Sequence, residues 1–169
     1  PIYSLGHRNP QGLAWHPSTG ELFISDHGPS GEGGLRGKDR IKVIKPGGNY
    51  GWPEKVGYFE DGKFGNPLIL WDRAVPPSGI TFYKGDLFIA TLRSEALIRV
   101  VLEAQGDYNY EVEKIERWFA SDNYQGQYGR LRTAVVGPDD YLYFLTNNRD
   151  GRGNPRPGDD KILRFKLED

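Results

Sequence analysis

The stretch GLAWHPSTGELFISDHG, Gly12 to Gly28, consists of two short apolar runs around a tight turn. Leu13-Ala14-Trp15 precedes the turn and Leu22-Phe23-Ile24 follows it. Ser18-Thr19-Gly20 lies between them, with residue types that cap a turn locally or accept a positive φ angle. Apolar runs joined in this way read as a β-hairpin. The pattern returns twice. GITFYKGDLFIATLRSEALIRVVLEAQGD, from Gly79, turns at Lys84-Gly85-Asp86, and LRTAVVGPDDYLYFLTNNRDGRG, from Leu131, turns at Pro138-Asp139-Asp140. Each copy then adds a third segment beyond a polar loop: DRIKVIK (39–45), SEALIRVVLEA (94–104) and DKILRFK (160–166). By composition the second of these suits a helix. Its place in the repeat makes it a strand, so helix should be scarce.

The middle strands of the three copies lie 65 residues apart (Leu22 to Leu87) and 55 apart (Leu87 to Leu142). Propeller blades repeat at about 40–50 residues, and the excess fits long loops such as 50–67. The expected architecture is all-β: a partial β-propeller over 1–169, with about three four-stranded antiparallel blades. Three blades leave an open arc with bare sheet faces and edges, which propellers avoid by radial closure. The missing blades are expected before Pro1, because the chain enters at a loop motif and leaves after a complete strand.

At 169 residues, one domain with a real core is affordable. The 22 basic and 23 acidic residues nearly cancel, which argues against a nucleic-acid or acidic-membrane partner. No apolar run approaches about 18 residues, so no membrane-spanning helix is expected. With no cysteine, disulfides and thiolate metal sites are excluded. Cysteine and methionine are both absent while Arg and Glu are plentiful, which fits a thermostable protein. A start at Pro1 rather than Met suggests a processed or excised product, and no signal peptide is visible.

Function in propellers gathers in the loops at one end. GHRNPQG (6–12) crowds Arg8, Asn9 and Gln11 before a strand, with Pro10 biasing Asn9 to an extended shape. Arg8 offers a planar fork for carboxylates; the bland alternative is a loop-capping network. His7 is a candidate base only in name, since a lone loop histidine is more often structural. In SDHGPSGEGG (25–34) the Gly28-Pro29 pair offers carbonyls, with Asp26, Glu32 and Asp39 nearby. Hard cations such as calcium take such oxygens, though the spacing is not that of an EF-hand and a glycine-rich hairpin loop explains the run better on the residues alone. In GRLRTAVVGPDD, Arg130 and Arg132 fall on one strand face, their roots roughly 7 Å apart. That spacing suits a clamp on the carboxylates of one small molecule, or a solvated outer pair. Arg93 follows the middle strand of the second copy, so arginines recur at blade ends. NNRDGRGNPRPGDDKI reads as an ordered surface loop, and NYGWP as a turn with Trp52 packed between blades.

Taken together, LGHRNPQGLAWHPSTGELFISDHGP, KPGGNYGWP, PPSGITFY and TNNRDGRGNP…GDDKILRF resemble the soluble glucose and aldose sugar dehydrogenases that depend on pyrroloquinoline quinone (PQQ). The resemblance runs in order over nearly the whole chain and matches the C-terminal half of such enzymes. It implies a six-bladed propeller. It also implies that Arg8, Asn9, Gln11, Arg93, Arg130 and Arg132 bind PQQ, and that the Gly28 and Pro29 carbonyls bind calcium. The basic residue after the second middle strand is often lysine in the family, where this chain has Arg93. A second departure is Asp39-Arg40, where an acidic pair is usual, which bears on any accessory calcium site.

The implied activity is oxidation of an aldose at its anomeric carbon to a lactone, with hydride transfer to PQQ and onward electron transfer to an artificial or membrane acceptor. The general-base histidine is expected upstream of Pro1, and His7 is not its equivalent. The N-terminal half of the propeller would be a partner, and the resemblance implies a periplasmic or extracellular location. Two rivals are a non-enzymatic scaffold of hedgehog-interacting type and a calcium-dependent lactonase-like propeller. The first gives no reason for the arginine set, and the second would need converging acidic metal ligands.

Overall fold

The computed structural model describes residues 1–121 and 123–168. Eleven strands form three antiparallel sheets. The first contains β1 (Pro10–Trp15), β2 (Leu22–Asp26), β3 (Asp39–Ile44) and β4 (Ile69–Trp71), in that order. The second contains β5 (Pro77–Tyr83), β6 (Asp86–Thr91), β7 (Leu97–Gly106) and β8 (Asn109–Trp118). The third has β9 (Leu131–Val136), β10 (Leu142–Thr146) and β11 (Ile162–Phe165), one strand fewer than the repeat predicts. Among the described residues, helix is confined to one 3₁₀ turn, Glu32–Gly34. The helix-like SEALIRVVLEA run supplies β7, as its place in the repeat requires. Strand β8 supplies the fourth strand expected of this blade, from a segment that the repeat pattern does not mark. It pairs with β7 along its length, through two register breaks.

The hairpin turns fall where the turn residues stand. Trp15 pairs with Leu22, Tyr83 with Asp86, and Val136 with Leu142. Each first hairpin also carries a register shift far from its turn: at Pro10/Gly12, at Pro77/Ile80 and at Leu145/Thr146. Bulges twist a strand and re-aim its side chains, and here all three lie at the same end of the stack. That end also receives the loops 27–38, 92–96 and 147–161.

The first strands β1, β5 and β9 lie side by side, close enough that glycine is needed at two points. A Cβ on Gly12 would stand 2.5 Å from the Ser78 carbonyl oxygen, and one on Gly79 would stand 2.1 Å from Thr133 Oγ1. The Ser25 hydroxyl donates to the Ser78 carbonyl at 2.6 Å and ties the first sheet to the second.

The middle sheet is buried on both faces. On one side Ile80, Leu87, Ile89 and Ile98 pack against Ala14, Phe23 and Ile41; on the other, Tyr83, Phe88 and Leu97 pack against Leu131, Ala134 and Phe144. Strand β6 is accordingly apolar nearly throughout, whereas half-exposed strands alternate. The outer faces of the stack stay apolar and open, with Leu13 59 % and Trp15 62 % exposed on the first sheet and Ile162 74 % exposed on the third.

Candidate functional site

Because β1, β5 and β9 begin at the bulged end, that end collects Arg8, Asn9 and Gln11 before and within β1, and Arg130 and Arg132 at the start of β9. It also collects the His27-Gly28-Pro29 loop after β2 and Arg93 after β6. Gly28, Pro29 and Arg93 share one cleft of about 190 Å³, with His27, Asp39 and Pro76 also in its walls. Arg93 is exposed there, and no carboxylate pairs with it among the described residues. The site candidates thus come together at one end, drawn from all three sheets.

Each group is held differently. Arg8 is mostly covered, with its guanidinium 5.7 Å from the Trp52 ring centroid. It donates to Glu32 and, at 3.5 Å, to the His27 carbonyl and Ser30 hydroxyl. The hydrogen bond from Arg8 lowers the Glu32 carboxyl to about 2. Trp52 therefore braces a candidate site residue. Gln11 Nε2 donates to Asn9 Oδ1 at 2.7 Å, which orients both exposed amides.

Gly28 is wedged between strands. A Cβ there would lie 1.9 Å from the Gly37 carbonyl oxygen, and its own N–H donates to Asp39 Oδ1 at 2.9 Å. Asp39 Oδ2 accepts the Val75 N–H at 2.8 Å, so this acid positions backbone. His27 Nε2 is buried without a hydrogen-bond partner. Burial lowers the His27 pKa, keeping the ring neutral.

Arg130 and Arg132 converge on one carboxylate, Asp150 Oδ2, at 2.8 and 3.5 Å. Arg130 is buried, its Nε donating to the Asn147 carbonyl at 3.3 Å, while the Arg132 side chain is 40 % exposed. Partial burial would raise the Asp150 carboxyl, but Arg130 and the Arg152 N–H outweigh it and the pKa falls. The buried Asn148 accepts the Arg130 N–H at 2.9 Å and donates to Asp159 at 2.9 Å. The loop 147–161 is therefore an ordered support for the arginine pair.

Sequence reasoning named Asp26 only as an acid near a metal loop. In the structure it is the hub of the first corner. It is fully buried and accepts the Asn9 N–H at 2.7 Å, Lys42 Nζ at 2.6 Å and Arg40 Nε at 3.1 Å. Burial would push its pKa up, but Lys42 and Arg40 reverse the balance and hold it low. Burial in turn draws Lys42 down to about 8, against the pull of Asp26. The missed signal was the alternation of Arg40 and Lys42 inside an apolar strand, which sets both on the face of Asp26. His7 completes this network: Lys42 Nζ lies 3.2 Å from its Nδ1, Ser4 Oγ 2.8 Å from its Nε2, and its ring stacks on Tyr50 at 5.1 Å. Burial first, then Lys42, lowers His7 to about 4, so it stands neutral in a structural role.

The acids named near the metal loop do not converge. Asp26 turns to Lys42 and Arg40, Glu32 to Arg8, and Asp39 to backbone. Among the described residues no three His, Asp or Glu side chains group as a metal site. A cation at this loop would depend on backbone oxygens. The arrangement as a whole suits a flat polyanion, with cationic forks on several sides, one of them without a carboxylate partner among the described residues, beside a glycine cradle.

A family profile described as Glucose / Sorbosone dehydrogenase matches residues 1–154. The aldose sugar dehydrogenase YliI of Escherichia coli is 34 % identical over 89 % of this chain and 42 % of its own length. A Thermus thermophilus structure described as an oxidoreductase (glucose dehydrogenase) superposes with a TM-score of 0.88 at 52 % identity, covering 96 % of this chain and 46 % of the other. The PQQ-bound aldose sugar dehydrogenase of Streptomyces coelicolor superposes with a TM-score of 0.80 at 38 % identity, covering 99 % and 46 %. The chain thus spans a little under half the length of these relatives. With the family profile matched over most of its length, the chain belongs to the glucose/sorbosone dehydrogenase family.

Proposed function

We propose that this chain forms the cofactor-clamping part of a PQQ-dependent aldose dehydrogenase. The observation that carries this reading is the meeting of arginines from three sheets at one end, with Arg93 beside the Gly28-Pro29 cradle and without a carboxylate partner among the described residues. A relative solved with PQQ bound supports the choice of ligand. Charge-assisted bonds from Arg93 and Arg132 would hold the ligand's carboxylates, each worth about 1.5–3 kcal/mol. Asp150 keeps Arg130 and Arg132 aligned toward a shared anion. Arg8, braced by Trp52 and Glu32, presents a fixed positive charge that favours negative charge developing nearby. Asn9 and Gln11 add oriented amides. The Gly28 and Pro29 carbonyls would hold calcium, which favours such oxygens. When bound, the quinone supplies the hydride acceptor for the anomeric carbon of the sugar.

The proton of the anomeric hydroxyl needs a base. His7 does not fit, being locked between Lys42, Ser4 and Tyr50, and we place the base outside residues 1–169. The same reading makes the three sheets consecutive blades of a six-bladed propeller. The open apolar faces at Leu13 and Trp15 and at Ile162 suit neighbouring blades from the remaining half. We further propose a periplasmic or extracellular location, with an artificial or membrane electron acceptor.

Dye-linked aldose oxidation tests the proposal. The 169-residue chain, given PQQ and calcium, should stay silent alone and gain activity when the complementing half is supplied. Loss of the general base alone typically costs about 10²–10⁴-fold. Robust sugar oxidation by the isolated chain would overturn the division of labour. Failure of the joined halves to oxidise any aldose would overturn the enzyme reading.

A further inference from the structure

At the end opposite the arginines, the long β3–β4 connection and the tip of the β7–β8 hairpin enclose an open cleft of about 770 Å³. Its size lies within the usual range of small-molecule sites, about 300–1,000 Å³. The walls come from both the first and the second sheet. Five rings line it: Tyr50, Tyr58, Phe64, Tyr108 and Tyr110. Its charged and amide groups are Lys45, Lys63, Asn49, Asn66 and Asn109, with no carboxylate in the lining among the described residues. Lys63 is paired with Glu54, and Glu21 backs Tyr108 and Tyr110 from outside the lining, so the cation the cleft offers is Lys45.

The floor is built rather than incidental. Tyr50 is anchored at its hydroxyl, which donates to the Val43 carbonyl at 2.7 Å and accepts the Lys45 N–H at 2.8 Å. Its ring slots between two glycines: a Cβ on Gly65 would lie 2.7 Å from it, and one on Gly48 3.1 Å. Asn66 clips the loop shut, accepting the Phe59 N–H at 2.6 Å and donating to the Phe59 carbonyl at 3.0 Å. Tyr58 is exposed and Tyr108 half-exposed, so two rings stand open to a ligand. Lys45 Nζ sits 5.5 Å from the Tyr108 ring centroid and has no carboxylate partner among the described residues. Lys63, by contrast, is paired with Glu54 at 3.1 Å.

We propose that this cleft binds an acidic oligosaccharide, with pyranose faces on Tyr58 and Tyr108, a uronate carboxylate on Lys45, and hydroxyls on Asn109 and neighbouring backbone groups. Tyrosine presents both an apolar ring and a polar tip, which suits a sugar's mixed surface. A lone lysine over a ring keeps its charge available to an anion while the ring holds it in place. The cleft is separate from the arginine end, so the proposal stands whether or not the chain takes part in sugar oxidation.

The test is calorimetric titration of the 169-residue chain, without cofactor, using trigalacturonate, maltotriose and inorganic phosphate at equal ionic strength. Trigalacturonate should bind saturably, and at least about tenfold more tightly than maltotriose. Lys45→Gln should remove that preference and leave maltotriose binding unchanged. Tyr58→Ala should weaken both sugars by roughly tenfold. Both side chains are exposed, so the far-UV spectrum should be unaltered in each variant. Absence of saturable trigalacturonate binding would overturn the proposal, as would indifference to both variants. Phosphate competing as tightly as trigalacturonate would reduce the site to a simple anion site. Equal affinity for maltotriose would overturn the acidic specificity.

Discussion

Asp26 ends the middle strand of its sheet and Asp150 lies in the loop just after the middle strand of another, and each meets two cations. Asp26 and its partners Arg40 and Lys42 are sealed, exposed by 0 %, 3 % and 1 %. Arg130 is buried and Asp150 partly covered, while Arg132 stays 40 % open. A sealed cluster is committed to holding the fold, because its charges are already desolvated and Asp26 is shared by two cations that no ligand can reach. A half-open one keeps a guanidinium that a ligand can still reach. The difference separates a corner that builds the site from a corner that serves it.

Breaking the sealed corner should have the largest effect. Asp26→Asn leaves Lys42 and Arg40 buried without a counter-charge, and should cost about 3–5 kcal/mol in a urea melt. Asp150→Asn should cost less, about 1–3 kcal/mol in the same experiment, since Arg132 can turn to water while the buried Arg130 keeps its bond to the Asn147 carbonyl. Equal losses would erase the distinction between the two corners.

Acid should also separate them. The folded-state pKa of His7 lies near 4, below its ordinary 6.5. Between these values the unfolded chain takes up the proton first, so the His7 contribution is full above pH 6.5 and is lost as pH falls toward 4. Amide exchange followed over that range should rise first around His7, Lys42 and Tyr50, and His7→Gln should flatten that response. The Asp150 corner should respond only lower, where its carboxylate is forced to protonate, because its pKa is held below the usual 3.8. Synchronous loosening of both corners at pH 5 would contradict the scheme.

A smaller effect belongs to the other end of the first sheet. The Tyr110 hydroxyl meets Glu21 and, at 2.6 Å, Thr19, and the Tyr108 N–H donates to Glu21 at 2.6 Å. Burial and the bond to Glu21 push the Tyr110 pKa up to about 12. Tyr110→Phe should cost about 1 kcal/mol by chemical denaturation, with no change at either arginine corner.

The hairpins were legible because local chemistry writes them: turn residues at 18–20, 84–86 and 138–140 sit between apolar runs, and the strands meet there. The strand identity of Leu97–Gly106 was legible only through its place in the repeat, since its composition favours helix. Strand β8 escaped because its pattern is broken by two register shifts against β7. The short β4 escaped because three residues carry no period. At the site, the shared face of Arg130 and Arg132 follows from strand alternation. Asp150 comes from a distant loop, and no local pattern announces it. Asp26 needed the register that sets it opposite Arg40, which only strand pairing supplies.

The most direct measurement is PQQ titrated into the calcium-loaded protein joined to its complementing half, followed through the quinone absorbance, for the parent and Arg132→Ala. Loss of the charge-assisted contact from this open guanidinium should weaken binding at least tenfold, about 1.4 kcal/mol, with the melting midpoint almost unmoved. An unchanged affinity in Arg132→Ala would contradict the account and return the arginine pair to a surface ornament around Asp150.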